Sequence, residues 1–250
     1  MALKELALHE RFEMEALERL KNKKLLAPLV FGGGTILRLC HELPRYSVDL
    51  DFWFFKKIDE ARLDSQMKRI LGGAFELTDA AKKKNTLLYE FRKAGYPRRL
   101  KIEIRREIRA KNTEEKIAFS VHGTRQVLLR GFTLDEMTAN KIAAFLGRGE
   151  VRDGFDIEFL IRRGVPPPES PELKKKIRVV VLRYGKYEIS PHMAMRRAKE
   201  LNSRFKARDG KILLVIPKTA FKKIEPKVID EKREAVRADS IHHAENLRLV

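Results

Sequence analysis

The chain has 250 residues, 43% of them hydrophobic, enough to build the core of one large domain or two modest ones without covalent staples. Its single cysteine, Cys40, excludes an internal disulfide framework and fits a reducing compartment. The formal net charge of +19, from 54 Lys and Arg against 35 Asp and Glu, creates a field that concentrates polyanions, nucleic acid first among them.

At the N-terminus Leu6, Phe12, Leu17 and Leu20 fall at helical spacing and predict an amphipathic helix. No signal-peptide h-region follows Met1, and no stretch approaches the roughly 18 apolar residues of a membrane span, so a cytoplasmic protein without membrane contact is expected. "LLAPLVFGGG" reads as a short buried strand running into a glycine turn, and "TILRLCHEL" as a helix that stops at Pro44. "SVDLDFWFF" predicts a strand, "DEARLDSQMKRILGG" a helix closed by Gly72 and Gly73, and "AFELTD", "TLLYEFRK" and "RLKIEIRREI" three further strands. From Thr133 the pattern turns helical. Thr133 with Glu136 three residues on is a capping box for "TLDEMTANKIAAFLG", and "VRDGFDIEFLIRRG" continues at helical spacing. "GVPPPESPE" is a rigid connector, after which "SPHMAMRRAKELNSRF" looks helical and "KILLVIP" reads as one apolar strand. The expected fold class is α+β, a mixed-sheet domain over residues 1–130 followed by a mainly helical region with a basic surface over 131–250.

The central question is why "VDLDFWFF" places two carboxylates in an apolar strand. Side chains two apart share a face, so Asp49 and Asp51 stand side by side while Leu50, Phe52 and Phe54 point the other way. Two such charges repel, and burying them unpaired costs several kcal/mol. A hard divalent cation such as Mg2+ removes both penalties and prefers carboxylate oxygens. "LKIEIRRE" offers a third carboxylate, Glu103, between the apolar Ile102 and Ile104, although a cross-strand partnership with an arginine would explain it as well. Gly33, Gly34 and Thr35 sit where a helix begins, and their backbone N–H groups could grip a phosphate; glycines also serve tight turns, and neither the P-loop nor the dinucleotide pattern is met. Lys141, Arg148 and Arg152 would share one face if the helix runs on, as a cationic wall for a triphosphate or as a solvated face.

With these residues in view, "GGTILRLCHELPRYSVDLDF" resembles the first motif of the AbiEii/AbiGii-type nucleotidyltransferases, relatives of the polymerase-β-like enzymes. In that pattern a Gly-Gly-Ser/Thr turn, a short helix and an Arg-x-Ser-x-Asp-x-Asp strand form the nucleotide site. "KIEI" resembles the strand with the third carboxylate, and "LDEMTANKIAAFLGRGEVRDGFDIEFLI" the later helical motif. The resemblance runs from about Pro28 to Gly164. Three positions depart from it: Glu42 stands where glycine is common, Glu103 where Asp is common, and Asn140 where Glu is common. None removes a candidate metal ligand.

The resemblance implies a polymerase-β-like nucleotidyltransferase fold and Mg2+-dependent transfer of a nucleoside monophosphate from an NTP. Two Mg2+ ions would be held by Asp49, Asp51 and Glu103. Gly33, Gly34 and Thr35 would hold the β/γ end, Arg45 and Ser47 would brace the turn or touch phosphate, and Lys141 and Arg148 would stabilise the leaving pyrophosphate. Asp153 and Asp156, one helical turn apart, read as locking helix to core rather than binding metal. The family also implies toxins paired with an antitoxin, phage-defence systems, and relatives that modify the 3' ends of tRNA. Charge favours RNA as the acceptor, with Arg196, Arg197, Lys199 and Arg204 in "MRRAKELNSRFKAR" as phosphate contacts. A transferase acting on a protein hydroxyl and an inert RNA- or DNA-binding protein of the same fold are the alternatives.

Overall fold

The structure, a computed structural model, describes residues 3–148, 150–165, 177–182 and 212–217. The chain divides into two compact units, Met1–Met137 and Thr138–Val250.

In the first unit helix α1 (Leu3–Asn22) buries Leu6, Phe12, Leu17 and Leu20, the predicted stripe. It ends where Lys24 takes a positive φ of 59° and the Leu25 N–H turns back to the carbonyl of Leu20. β1 (Leu29–Gly32) is buried at every position and runs straight into α2 (Gly33–His41). β2 (Asp49–Phe54) follows, then α3 (Glu60–Gly72), whose N-cap Asp59 accepts a hydrogen bond from the Arg62 N–H at 3.0 Å. β3 (Glu76–Lys82), β4 (Thr86–Arg92) and β5 (Leu100–Ile108) take up the three predicted strands.

The sequence reading misses one hairpin, β6 (Thr113–Phe119) with β7 (Gln126–Phe132). In β7 the buried Val127 and Leu129 alternate with the exposed Gln126 and Leu128, a period of two; the charges of "TEEK" mask the same pattern in β6. All seven strands form one mixed sheet in the order β3-β4-β5-β2-β1-β7-β6. β2 pairs antiparallel with β1 and parallel with β5, which places it at the centre. Helices α1, α2 and α3 lie over one face. Phe12 and Phe91 meet through Phe75, Ile36 lies against Gly131, and the Tyr89 hydroxyl donates to Asp64 on α3 at 2.9 Å.

Helix α4 (Leu134–Arg148) opens at the end of the first unit and continues into the second. The expected capping box forms by half. The Glu136 N–H donates to Thr133 Oγ1 at 3.4 Å, but the Glu136 carboxylate turns to Arg109 and Asn112 instead of the Thr133 N–H, which donates to the Asn112 carbonyl. The helix does not run on. α4 ends at Arg148 and α5 (Val151–Arg162) is a separate element, so Lys141, Arg148 and Arg152 do not share a continuous helical face; the "GRG" sequence at the junction has low helix propensity. In the second unit α4 and α5 pack through Ile142, Phe145 and Ile157. β8 (Ile177–Leu182), absent from the sequence reading, pairs in parallel with the predicted β9 (Ile212–Pro217). Among the described residues no helix is long and apolar enough to cross a membrane.

Glu42 caps α2 in the left-handed conformation, at φ 61° and ψ 36°. The Cβ–carbonyl crowding of that conformation costs a residue other than glycine about 1 kcal/mol, which accounts for glycine being common at this position in the motif it resembles. Glu42→Gly is expected to leave the fold unchanged and raise the melting temperature by a few degrees, on the order of 0.5–1 kcal/mol, in a thermal melt followed by circular dichroism.

Candidate nucleotidyl-transfer site

Strand β2 sorts its own residues. Leu50, Phe52 and Phe54 are buried under the helices, and Asp49, Asp51 and Trp53 sit half-buried on the opposite face. Register then selects their neighbours: Asp51 lies opposite Gly32 on β1 and Glu103 on β5, while Asp49 lies opposite Lys101.

The glycine turn closes on this face. Gly33 has a positive φ of 72°, and a Cβ there would overlap the Asp51 carboxylate. At Gly34 a Cβ would come within 2.7 Å of Ser47 Oγ and 2.8 Å of the Arg45 guanidinium. Only glycine lets the backbone approach these side chains so closely. Arg45, 4% exposed, donates to the Tyr46 carbonyl at 3.1 Å and so stiffens the loop before β2. Thr35 is buried, and its hydroxyl donates to the Asp49 carbonyl at 2.6 Å, tying the first turn of α2 to the start of β2. The first N–H groups of α2 have no acceptor within the helix, and the dipole there favours an anion.

Glu103 shares the face and makes an ion pair with Lys101; Arg105 lies farther off at 3.8 Å. The hydrogen bond to Glu103, with the charges of Asp49 and Asp51 adding to it, pushes the Lys101 ammonium upward and holds it charged. Among the described residues no three Asp, Glu, His or Cys side chains converge closely enough to enclose a cation as they stand. In type and placement the donors still fit a hard cation. Asp49 and Asp51 present oxygen ligands on one face and the carboxylate of Asp51 rests against Gly33, whereas Glu103 is ion-paired with Lys101 and would have to exchange that partner to join them.

A buried ionisable layer supports the start of β2 from α1. The imidazole of His9 lies 2.9 Å from the Val48 carbonyl, and burial holds its pKa below the ordinary value. Glu10 accepts from Arg38 at 2.6 Å and from the Ser120 hydroxyl at 2.6 Å, joining α1, α2 and the β6–β7 turn. Tyr46 bonds His122 at 2.8 Å under the stacked Arg38 guanidinium. Glu13 is fully buried, and neither of its carboxylate oxygens has a hydrogen-bond partner. His9, Glu10 and Glu13 carry no sequence signal beyond sitting among apolar neighbours on α1.

The second unit places Lys141, Arg148, Asp153 and Asp156 together. Lys141 Nζ lies 2.7 Å from Asp156 and 3.8 Å from Asp153, and Arg148 grips Asp153 through two hydrogen bonds of 2.7 and 2.8 Å. Both aspartates are fully buried, so these ions clamp α4 to α5. Arg196, Arg197, Lys199 and Arg204 lie outside the described residues.

A mixed sheet whose central strand offers two carboxylates to a glycine-headed helix defines the nucleotidyltransferase class of fold. Residues 15–237 match the family described as nucleotidyl transferase AbiEii toxin, type IV toxin–antitoxin system, and the chain belongs to that family. Among solved structures it is similar to MenT4, a nucleotidyltransferase toxin from Mycobacterium tuberculosis H37Rv, with TM-score 0.54 and 21% identity over 68% of this chain and 62% of that one. It also matches JHP933 from Helicobacter pylori (TM-score 0.45, 23% identity, 65% of this chain and 68% of that chain). A third match is an antigenic nucleotidyltransferase-like protein from Paracoccidioides brasiliensis (TM-score 0.44, 18% identity, 85% and 96%). The likeness to MenT4 is one of fold, and the chain spans 62% of that protein's length. No curated protein matches the sequence.

Two outcomes test the charge arrangement. Lys141→Ala removes the ammonium 2.7 Å from the buried Asp156 carboxylate and is expected to cost about 3 kcal/mol, whereas Arg148→Ala, which removes a half-exposed guanidinium and leaves Lys141 near Asp153, should cost less; paired denaturant titrations decide the order. At Glu13, burial pushes the carboxyl well up, the charges of Glu10 and Asp49 add to that, and Arg38 and Arg98 oppose it. Because the folded value is raised, the stability it contributes is full below the usual carboxylate range and is lost as pH rises towards the folded value. Glu13→Gln should therefore gain on the wild type steadily from acid to neutral pH, measured as the difference in melting temperature.

Proposed function

We propose that the protein transfers a nucleoside monophosphate from an NTP to an acceptor hydroxyl on RNA, at the 3' end of a tRNA, as the toxin partner of an antitoxin protein in a system that serves phage defence. The observation that carries this reading is the seating of the Asp51 carboxylate against Gly33, in register with Glu103, at the head of α2. The turn favours an anion whereas the acidic cluster beside it repels one, and their contact makes sense when the ligand is an anion delivered with cations.

In this reading Asp49 and Asp51, with Glu103 as the third donor, would hold Mg2+, which would neutralise the phosphates and lower the pKa of the acceptor hydroxyl. Gly33, Gly34 and Thr35 bind the β/γ end through backbone N–H groups, and Arg45 and Ser47 keep that turn in shape. The acceptor oxygen forms a bond to the α-phosphorus, the bond from that phosphorus to the bridging oxygen breaks, the hydroxyl proton passes to solvent, and pyrophosphate departs. Lys141 and Arg148 are assigned to the leaving charge, a role separate from their ion pairs with Asp156 and Asp153. Arg196, Arg197, Lys199 and Arg204 contact RNA phosphates. The net charge of +19 supports RNA over a protein acceptor.

The test is incubation of the pure protein with each labelled NTP, Mg2+ and total RNA. Label should enter RNA with release of pyrophosphate, and Asp49→Ala and Asp51→Ala should each abolish incorporation while remaining folded by circular dichroism. Turnover by the folded double variant would remove the carboxylates from the mechanism. Label in protein rather than RNA would select the protein-hydroxyl reading, and nucleic-acid binding without any transfer would select the inert one.

A further inference from the structure

The face that carries Asp49 and Asp51 continues beyond them, and its next residues are of a different kind. One rung along, roughly 7 Å from Asp51, stands Trp53. Its ring lies over Gly32, where a Cβ would come within 2.5 Å of it, and meets Phe132 edge-on with centroids 5.2 Å apart. In register beside it on β5 is Arg105, whose side chain is 47% exposed and whose contact with Glu103, at 3.8 Å, is at the outer limit of an ion pair. Immediately after Arg105 the register shifts, so that Phe54 pairs with Ile108, a bulge of the kind that re-aims side chains beside active sites. Past the end of β2, Phe55 carries the guanidinium of Arg130 at 4.0 Å from its ring centroid. Half-exposed aromatic rings interleaved with arginines thus extend from the carboxylates along one line.

The direction of that line matters. The glycine turn flanks β2 from Ser47 to Asp51, because Gly34 meets Ser47 and Gly33 meets Asp51, whereas Trp53 and Phe55 lie on the other side of the carboxylates. In an in-line displacement the attacking and leaving oxygens lie on opposite sides of the phosphorus. With pyrophosphate leaving at the glycine turn, the attacking hydroxyl arrives from the Trp53 side. Rings with flanking arginines suit unpaired bases, which stack on the one while the phosphates meet the other.

We infer that Trp53, with Arg105 beside it and Phe55 and Arg130 beyond, forms the platform that receives the single-stranded 3' end of the RNA acceptor, Trp53 stacking on an unpaired base and Arg105 binding a backbone phosphate. This rests on the transfer reading above for its direction. A protein acceptor gains nothing from a stacking ring between guanidinium groups, and the nucleotide's own base does not need to extend along the attack side.

Trp53 is the only tryptophan in the chain, so its fluorescence reports this position alone. Titration with a single-stranded oligoadenylate should quench the emission to saturation, and ATP with Mg2+ should quench it far less. Trp53→Ala should weaken oligoadenylate binding, measured by anisotropy of a labelled oligomer, by about tenfold, and Trp53→Phe should restore most of it. Arg105→Ala should weaken the same binding and lower its salt dependence, with nucleotide affinity unchanged in all three variants. The inference is overturned if oligoadenylate leaves the fluorescence unchanged, if folded Trp53→Ala and Trp53→Phe both bind RNA like the wild type, or if ATP alone produces the full quench. These are binding measurements. A wild type that binds RNA through Trp53 yet releases no pyrophosphate would sink the transfer reading and leave the platform standing.

Discussion

β2 lies at the centre of the sheet, and the alternation of its side chains couples core to chemistry. Leu50, Phe52 and Phe54 are fixed in the core, so Asp49, Asp51 and Trp53 have no choice of face. A slip of one residue against β1 or β5 would bury two carboxylates and expose three large apolar side chains. The core therefore guards the site's register more strongly than any contact within the site.

Charge is distributed so that each cost is met locally. The site carboxylates are half-buried, where solvent still reaches them. Glu10 is buried but bound by Arg38 and Ser120, and Asp153 and Asp156 are buried but answered by Arg148 and Lys141. Glu13 alone of this group lacks a hydrogen-bond partner, and its carboxyl is driven toward the neutral form instead. Burying an ion is tolerable when a partner comes with it or a proton does.

Most of the first unit could be read from the chain because its signals are local. The stripe of Leu6, Phe12, Leu17 and Leu20, the glycines before α2, and the alternation around Asp49 and Asp51 each act within one element. The strands of the β6–β7 hairpin escaped because charged residues on β6 obscure its period. The end of α4 at Arg148 is foreshadowed by the two glycines of "GRG" but outweighed by the apolar spacing on either side. What no local pattern reveals is a partnership between distant residues. Lys101 taking Glu103, Arg109 taking the Glu136 that a capping box reserves for its own helix, and His9 meeting the Val48 carbonyl all depend on sheet order and helix placement.

The two open margins of the sheet bear on how the molecule meets others. β3 carries Glu76, Asp79 and Lys82 along its length, and β6 carries Glu114, Glu115 and Lys116. Unpaired strand margins are templates for cross-molecular β-pairing and aggregation, and charge at this density works against a neighbour docking there strand to strand. A partner that joins the first unit is thus steered away from extending its sheet and toward lying across a face.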